Sequence, residues 1–276
     1  WEPREWRREC PNRPRNTFHM NDEERTDAQA TPVAPREEIP ALLASGSEAV
    51  LHSLLDNPAF DETLVCLLLE RKDLSGLLLE EISKRKTWRA NYRVRLGLAA
   101  HPHTPRLIAM RLLRELHLMD LVRISLLTTS SMELRRLADE RVLTQLPQLP
   151  LGQKLMLARR GSARVAAGLV AHGPDLVARV ALDNPFLTES QLLKTLAKET
   201  LPARIIAAVA MHVKWPNMLN IRVALLRHPQ VPVDRVLSLS SGLPSRDIED
   251  LMELTRLPEH VRDLLGEELA QRKSKK

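Results

Sequence analysis

Five prolines recur along this 276-residue chain at nearly equal intervals, and they constrain its fold more than any other feature. They are Pro58, Pro102, Pro147, Pro185 and Pro229, which lie 44, 45, 38 and 44 residues apart. Proline lacks a backbone N–H and disfavours the α conformation of the residue before it, so each position predicts the end of a helix. A helix boundary that returns every forty-odd residues indicates a chain built from copies of one helical repeat.

Other positions repeat in register with these prolines. Four residues before them the chain carries the apolar residues Leu54, Leu98, Leu143, Ala181 and Leu225. Three residues after them it carries the helix-starting types Asp61, Pro105, Pro150, Thr188 and Pro232. Eight residues after them it carries the apolar residues Cys66, Met110, Leu155, Leu193 and Leu237. We expect both apolar sets to be buried, and every one of the prolines except Pro147 to lie within two residues of a helix C-terminus.

The residue before the proline is Asn or His in four of the five repeats, at Asn57, His101, Asn184 and His228. Asn tolerates non-helical backbone, and both side chains can hydrogen-bond to nearby backbone groups. Leu146 takes this place in the third repeat, which we therefore expect to be the least regular.

The segment 185–229 gives the clearest repeat. Thr188 is placed to cap a first helix, because its hydroxyl can accept a hydrogen bond from the first helical turn. Pro202 opens a second helix over 203–213. A third helix is predicted over 220–227 and ends before the next proline.

The composition agrees with a fully helical chain. Hydrophobic residues make up 43% of the sequence and aromatic residues only 3%, and no alternating strand pattern flanks a hairpin turn. We therefore predict an all-α fold, a right-handed α-solenoid of about five degenerate repeats of roughly 44 residues with two to three short helices each.

The same reading divides the chain into four parts. Residues 1–38 are predicted to be a disordered N-terminal extension, within which Met20 is a candidate for the natural start. Residues 39–243 would form the repeat array. The acid-rich segment 244–271 would form a helical C-terminal cap, because a solenoid needs a polar terminal repeat. Residues 272–276 would be a basic, solvated tail.

The formal net charge of +6 comes from the ends of the chain. Residues 1–19 contribute +2 and residues 272–276 contribute +4, so the body of the sequence is neutral. Two cysteines, Cys10 and Cys66, are too few for a disulfide framework, and we expect Cys66 to be a core thiol. The sequence has no run of 18 apolar residues and no recognisable secretion signal, so we expect a cytoplasmic protein with no membrane span.

Two stretches resemble a known family. Residues 181–185 read Ala-Leu-Asp-Asn-Pro and residues 225–232 read Leu-Leu-Arg-His-Pro-Gln-Val-Pro, and both resemble the leucine-rich repeat variant family. The period near 44 is similar to that of HEAT and armadillo repeats. The resemblance covers roughly residues 40–265 and implies a curved helical array that binds a partner on one face. The iron–sulfur cluster domain known in the variant family does not carry over, because the cysteines for it are missing.

Charge is segregated along the sequence into three windows without acids. Nine bases lie between Glu81 and Glu115, five between Glu140 and Asp175, and four between Glu199 and Asp234. Equivalent helices of stacked repeats line one surface, so these windows predict a positive stripe on one face of the array, most naturally the concave one. The alternative is that the windows are ordinary solvated helix faces whose bases pair with acids elsewhere in the fold.

The first window contains the most distinctive stretch, Lys-Arg-Lys-Thr-Trp-Arg-Ala-Asn-Tyr-Arg at residues 84–93. If this stretch is helical, Trp88 and Tyr92 share a face with arginines beside them. Stacking aromatics and arginines suit either a protein interface or a nucleic acid, although Trp88 could instead fill the seam between the first two repeats. The candidate partner-binding residues are Arg85, Trp88, Arg89, Tyr92, Arg93, Arg95, Arg164, Arg179 and Arg222.

Catalytic and metal signals are weak in comparison. The pair His101 and His103 lacks neighbouring ligands, and His101 sits at the repeated pre-proline position, so a structural role is favoured. No phosphate-binding loop or nucleophile motif is present, and no cofactor is predicted. We therefore expect a non-enzymatic helical-repeat binding or scaffold module that engages an acidic protein partner through a basic face. The alternatives are a nucleic-acid-binding protein that uses the same face and, by analogy alone, an enzyme resembling HEAT-like DNA glycosylases.

Overall fold

The computed structural model describes residues 33–253 and 257–274. Throughout these residues the chain is all α, with helices, turns and no strand. It divides into two compact units whose boundary falls between Gly97 and Leu98. None of the helices in the described ranges is long and apolar enough to cross a bilayer.

The described part of the first unit, from residue 33 onward, contains six helices. They are α1 (Ile39–Ser45), α2 (Glu48–Leu54), α3 (Glu62–Leu68), α4 (Gly76–Lys84), α5 (Lys86–Ala90) and α6 (Tyr92–Ala100), the last of which continues across the boundary. Residues 1–32 of the predicted N-terminal extension, with Cys10 and Met20, lie outside the described residues. Residues 33–38 of the same extension are ordered against this unit, because the carbonyl oxygen of Ala34 accepts a 3.0 Å hydrogen bond from Nδ2 of Asn57.

The second unit holds the remaining helices. They are α7 (Arg106–Leu113), α8 (Leu118–Leu126), α9 (Met132–Gln145), α10 (Leu151–Arg160), α11 (Ala163–His172), α12 (Asp175–Leu182), α13 (Glu189–Leu196), α14 (Ala203–Ala210), α15 (Leu219–Arg227), α16 (Val233–Ser240), α17 (Ser245–Met252) and α18 (Glu259–Ser274). Two 3₁₀ turns, Leu146–Gln148 and Trp215–Asn217, precede α10 and α15. The helix predicted over 203–213 stops at Ala210, and Thr188 caps α13 as predicted.

The prolines follow helix ends, although two of them stand farther away than predicted. Pro102 and Pro229 each come two residues after a helix, which confirms the prediction for them. Pro185 comes three residues after α12 and Pro58 four after α2, so the two-residue limit is wrong there. The extra residues form a turn between the helix and the Asn that precedes the proline, and no helix continues through any of these four prolines.

A recurring hydrogen-bonded joint forms around the residue before the proline. Its N–H donates to the carbonyl three residues earlier, and the acceptors are Leu54, Leu98, Ala181 and Leu225 at 3.0, 3.4, 3.2 and 3.0 Å. Its side chain accepts the N–H two residues later, and the donors are Ala59, His103, Phe186 and Gln230 at 2.8, 3.2, 2.7 and 3.2 Å. We call this pattern the pre-proline joint. Asn and His both suit it, because each offers one acceptor atom at the same reach.

The side chains of Asn57, Asn184 and His228 also donate to carbonyl groups from an earlier part of the chain. Nδ2 of Asn184 bonds to the carbonyl oxygens of Ala158 (2.8 Å) and Gly161 (3.1 Å) at the end of α10. Nε2 of His228 lies 3.4 Å from the carbonyl oxygen of Lys198, just past α13. His228 accepts at Nδ1, so its proton is on Nε2 and can be donated. Burial of a polar side chain here is offset by its hydrogen bonds, and each joint residue is at most 4% exposed.

The two apolar sets predicted from register behave differently. The set before the proline is confirmed in four repeats, where Leu54, Leu98, Ala181 and Leu225 are fully buried, while Leu143 of the third repeat is only half-buried. The set eight residues after the proline is wrong. Leu237 is 46% exposed, and Cys66, Met110, Leu155 and Leu193 are half-buried.

In four of these helices the apolar stripe lies one residue earlier than predicted, and α10, where this position is Lys154, is the exception. The buried residues are Val65, Ala109, Leu192 and Val236. A step of one residue rotates a side chain by about 100° around a helix, so the predicted positions fall at the edge of the stripe. Cys66 is therefore a half-buried thiol. Burial raises the pKa of the Cys66 thiol, an effect partly opposed by the nearby positive charge of Arg93.

The C-terminal helix corrects the predicted basic tail. Helix α18 continues through Ser274, and Arg272 donates to the carbonyl oxygens of Leu243 (2.7 Å) and Ser240 (3.0 Å). Arg272 also pairs with Glu268 at 2.9 Å. Residues 272–274 are therefore part of the folded helix that closes this end of the unit, while residues 275–276 lie outside the described residues.

Candidate partner-binding surfaces

The distinctive stretch at residues 84–93 is not one helix. Asn91 separates α5 from α6 with an extended backbone (ψ 127°), so Trp88 and Tyr92 do not share a helix face, which corrects the prediction. The Asn91 side chain accepts the N–H of Arg93 at 2.9 Å and donates to Glu62. These two hydrogen bonds of the Asn91 side chain stabilise the break between α5 and α6.

Trp88 and Arg85 are structural residues of the first unit. The Trp88 side chain is buried (7% exposed) and packs edge-on against Phe60, with ring centroids 5.7 Å apart. The Arg85 guanidinium lies 4.7 Å from the Trp88 ring and pairs with Asp56 (2.7 Å) and Glu81 (3.1 Å). The Trp88 ring therefore has little surface left for a partner, while the Arg85 side chain is still 29% exposed, and a binding role for the two residues stays a prediction.

The other four predicted residues of the first unit stay near the surface. The Arg95 guanidinium lies 5.6 Å from the Tyr92 ring and donates to the carbonyl oxygen of Arg89 at 3.4 Å. Arg93 is exposed in the first turn of α6. Arg89, Tyr92, Arg93 and Arg95 thus give a small basic patch around a half-buried tyrosine.

The three predicted residues of the second unit have different surroundings. Arg222 donates to the carbonyl oxygen of Pro216 and packs on Gly242, where even a Cβ atom would lie 1.6 Å from its Nη1. Arg222 is therefore a packing residue. Arg179 is exposed on α12. Arg164 pairs with Glu140 at 3.1 Å and lines a groove.

Several bases of the acid-free windows pair with acids outside their window. Arg106 pairs with Glu133, and Arg204 pairs with Asp175. Arg164 pairs with Glu140, the acid that bounds the second window on its N-terminal side. Part of the positive charge of the windows is therefore neutralised by acids from elsewhere in the fold, as the alternative interpretation of these windows predicts.

The groove lies in the second unit between α9, α11 and α13 and has a volume of about 490 Å³. One wall is apolar and is made by Leu143, Leu146 and Pro147 at the end of α9 and in the turn after it. The opposite wall is polar and basic, and consists of Gln191, Lys194 and Thr195 on α13 with Lys198 just past the end of that helix. We call this cavity the α11 groove.

The floor of the α11 groove is the α11 helix itself. Ala167 and Gly168 occupy its middle, and Arg164 and His172 lie toward its two ends. A Cβ atom on Gly168 would stand 2.4 Å from Cδ2 of Leu143. The absence of a side chain at this position therefore lets the leucine of α9 pack directly on α11 and form the apolar wall.

The charge of the α11 groove is of one sign. Lys154, Arg164, Lys194 and Lys198 line it together with His172, and the described lining contains no Asp or Glu. Lys194 is exposed on α13 and Lys198 is exposed just past the C-terminus of that helix, so both ammonium groups can reach one ligand. An apolar wall that faces a basic wall favours a ligand with both apolar and acidic groups.

A buried acid fixes the end of α11 beneath Arg164. The Ser162 hydroxyl donates a 2.6 Å hydrogen bond to Asp139 of α9, and the same oxygen caps α11 by accepting the N–H of Val165 at 3.2 Å. Burial raises the pKa of the Asp139 carboxyl above its ordinary value of 3.8, although hydrogen bonds from Ser162 and Ser125 oppose this. Asp139 therefore holds α9 against the N-terminus of the helix that carries the groove floor.

Sequence reasoning found Arg164 but missed the lysines of the α11 groove. Lys194 and Lys198 lie between Glu189 and Glu199, so a search for windows without acids passes over them. Their spacing of four residues on a predicted helix was the available signal. Their position opposite an apolar wall depends on how α9, α11 and α13 pack together, and no short sequence pattern indicates it.

No set of three His, Cys, Asp or Glu side chains within residues 33–253 and 257–274 is arranged to hold a metal ion. Comparisons with protein-family models, curated proteins and solved structures find no match to this chain.

Proposed function

We propose that this chain is a non-enzymatic helical-repeat binding module, a right-handed α-solenoid of degenerate repeats, that engages an acidic protein partner. The observation that carries the proposal is the α11 groove, in which an apolar wall faces a basic wall. The recurrence of the pre-proline joint at Asn57, His101, Asn184 and His228 supports the repeat interpretation, because the same local hydrogen bonds return at the same register of the sequence.

The apolar wall favours a protein partner over a nucleic acid. A nucleic acid held by phosphate contacts would satisfy Lys194 and Lys198 but would leave the half-buried Leu143 without an apolar group to cover it. An acidic polypeptide that contains leucines can satisfy both walls. The basic patch around Tyr92 in the first unit offers a second contact surface of the same charge.

The test measures binding of two labelled probes by fluorescence anisotropy. One probe is a synthetic peptide of glutamate and leucine in scrambled order, and the other is a single-stranded oligonucleotide of similar charge. We expect the peptide to bind more tightly than the oligonucleotide. We also expect Lys194→Glu with Lys198→Glu to weaken peptide binding at least about tenfold, equivalent to about 1.4 kcal/mol.

The matched control is Arg159→Glu with Arg160→Glu, which changes the net charge equally at exposed positions that do not line the α11 groove. The control should leave peptide affinity nearly unchanged. Equal losses in both variants would mean that only overall charge matters, and tighter binding of the oligonucleotide would favour the nucleic-acid alternative. Either result contradicts the proposal.

A further inference from the structure

We infer that the α11 groove recognises a single apolar side chain with acidic groups on both sides of it, within a short segment of the partner. The acidic partner is that of the proposed function, on which this inference rests, and the groove is the same. Three properties of the groove lead to this ligand: a small open apolar surface, bases on both sides of that surface and a limited size.

Little of the apolar wall and floor is open to a ligand. Three of the apolar residues that line the α11 groove are buried, namely Leu146, Ala167 and Leu169. Leu143 is half-buried and Pro147 is exposed. The apolar surface that the described lining leaves open therefore consists mainly of part of one leucine and one proline ring. One apolar side chain of a ligand is enough to cover a surface of this size, and a second one would stay in contact with water.

Bases stand on both sides of this small apolar surface. Lys194 and Lys198 face it from the opposite wall. On its own side, the Lys154 ammonium donates a 3.4 Å hydrogen bond to the carbonyl oxygen of Pro147, so this base lies beside the exposed proline. An ammonium group has three N–H donors, so Lys154 can bind an acid of the ligand and keep this bond. Acids that flank the apolar residue of the ligand on both sides match this arrangement.

The size of the α11 groove limits the ligand to a short segment. Its volume of about 490 Å³ is in the range of pockets that hold small-molecule ligands. Arg164 and His172 lie toward the two ends of its floor and are eight residues apart on α11, a rise of about 12 Å. About four residues of an extended chain or about eight of a helix cover this distance. The groove therefore binds a short segment of the partner and not a broad surface.

The experiment compares three labelled peptides of equal length by fluorescence anisotropy. Between identical Gly-Ser flanks, the central peptide carries Glu-Glu-Leu-Glu-Glu, the terminal peptide Glu-Glu-Glu-Glu-Leu and the serine peptide Glu-Glu-Ser-Glu-Glu. All three have the same charge, and the first two have the same composition. We expect the central peptide to bind at least about fivefold more tightly than either of the others, because only there does a leucine lie between acids.

The contrary outcomes separate this inference from the proposed function. Equal binding of the central peptide and either of the others would overturn the inference, because the leucine or its position would then not matter. Binding of the longer scrambled peptide alone would also overturn it, because the recognised segment would not be short. In both cases the proposed function stands if the longer peptide loses affinity in Lys194→Glu with Lys198→Glu. If the longer peptide does not bind either, the proposed function is wrong as well.

A lysine variant tests the base on the apolar side of the groove. Lys154→Gln removes the charge beside Pro147, so the central peptide should lose at least about threefold in affinity. The terminal peptide should lose less, because its acids all lie on one side of the leucine and can face Lys194 and Lys198 together.

The matched control is Arg160→Gln, which removes one positive charge from an exposed position of the same helix that does not line the α11 groove. The control should leave the affinity of both peptides nearly unchanged. Equal losses of the two peptides in Lys154→Gln, or equal losses of the central peptide in Lys154→Gln and Arg160→Gln, would contradict bases on both sides of the apolar surface and overturn the inference.

Discussion

The Ser162 hydroxyl joins two helices by bonding to the Asp139 carboxylate at 2.6 Å while it caps α11 through the N–H of Val165. Asp139 is only 7% exposed and stands next to Glu140, which pairs with Arg164 in the groove. The N-terminus of α11 is therefore fixed to α9 by a buried acid whose protonation affects the stability of the fold.

Replacing this acid should make stability less dependent on pH. Burial raises the pKa of Asp139, so the folded state binds the proton more tightly than the unfolded state. The free energy of unfolding contributed by this group falls as pH rises from the ordinary pKa of 3.8 through the raised pKa. We expect Asp139→Asn to gain stability relative to the parent chain through this pH range and to keep a constant difference above it.

Urea unfolding between about pH 3 and about pH 8 measures this difference. The control is Glu253→Gln, which removes the carboxylate of an exposed residue. A difference between Asp139→Asn and the parent chain that stays flat over the whole range would contradict the prediction.

Removing the side chain of a pre-proline joint should lower the free energy of unfolding, and exchanging Asn for His there should lower it less. Asn184→Ala leaves a buried N–H and two carbonyl oxygens without their partner, at a cost of about 1–3 kcal/mol. Asn184→His keeps an acceptor and a donor, as His228 does in the next repeat. Denaturant unfolding should rank the parent chain first, the His variant second and the Ala variant last.

The control for this ranking is Asn217→Ala, where an exposed side chain makes a 2.8 Å bond to the carbonyl oxygen of Val213. Its effect should stay within about 0.5 kcal/mol. A His variant as unstable as the Ala variant would mean that the joint depends on the shape of Asn and not on its hydrogen bonds.

Leu225 and Leu237 were both predicted to be buried, but their replacement by alanine should lower the free energy of unfolding by very different amounts. Leu225→Ala removes a fully buried side chain and should cost about 2–5 kcal/mol of unfolding free energy. Leu237→Ala alters a side chain that is 46% exposed and should cost much less. Thermal and denaturant unfolding of the two variants compare them directly, and similar losses would show that Leu237 is buried in solution.

Trp88 should contribute to stability and not to binding. Its ring is buried against Phe60 and beneath Arg85, so Trp88→Ala should cost about 3–5 kcal/mol. The exposed residue Arg93 should behave in the opposite way, since Arg93→Glu should leave unfolding nearly unchanged. Intrinsic fluorescence and thermal unfolding report on both, and a Trp88→Ala variant of unchanged stability would contradict the packing described here.

Arg272 should contribute to the stability of the second unit although it stands near the end of the sequence. Arg272→Ala removes bonds to two carbonyl oxygens and a pair with Glu268, and we expect a loss of about 1–3 kcal/mol. Arg272→Lys keeps the charge but lacks the guanidinium fork, so it should recover only part of that loss. Full recovery by Lys would mean that only charge matters at this position.

Much of the fold could be predicted because the residues that begin and end its helices act on neighbouring backbone. The prolines, Thr188 as a cap and the polar residue before the proline act on neighbouring backbone, and the all-α class follows from them. The error of one residue in the second apolar set has a different origin. The proline fixes where a helix ends, but the rotation of the next helix depends on the turn between them and on the surface it packs against.

The candidate site could be predicted only in part because it depends on contacts that are distant in sequence. Arg164 was identified as a candidate from the charge pattern of the sequence. Lys194 becomes a candidate only because it lines the same groove as an apolar wall about fifty residues earlier in the chain. The helix face expected for Trp88 and Tyr92 together was wrong because the two residues lie on separate helices, and the break between them at Asn91 involves Glu62, a residue outside the local pattern. Local spacing thus identified charged residues but could not decide which of them face a ligand.

The pre-proline joint has a consequence for how such a chain can change over generations. Its geometry requires one side chain that both accepts and donates, and Asn and His meet this requirement in different copies. A segment that keeps this residue and its proline keeps these hydrogen bonds, while the residues on its exposed surfaces can be exchanged without breaking them. Exchange between Asn and His at this position is therefore open to sequence change, whereas replacement by a side chain without an acceptor atom is not.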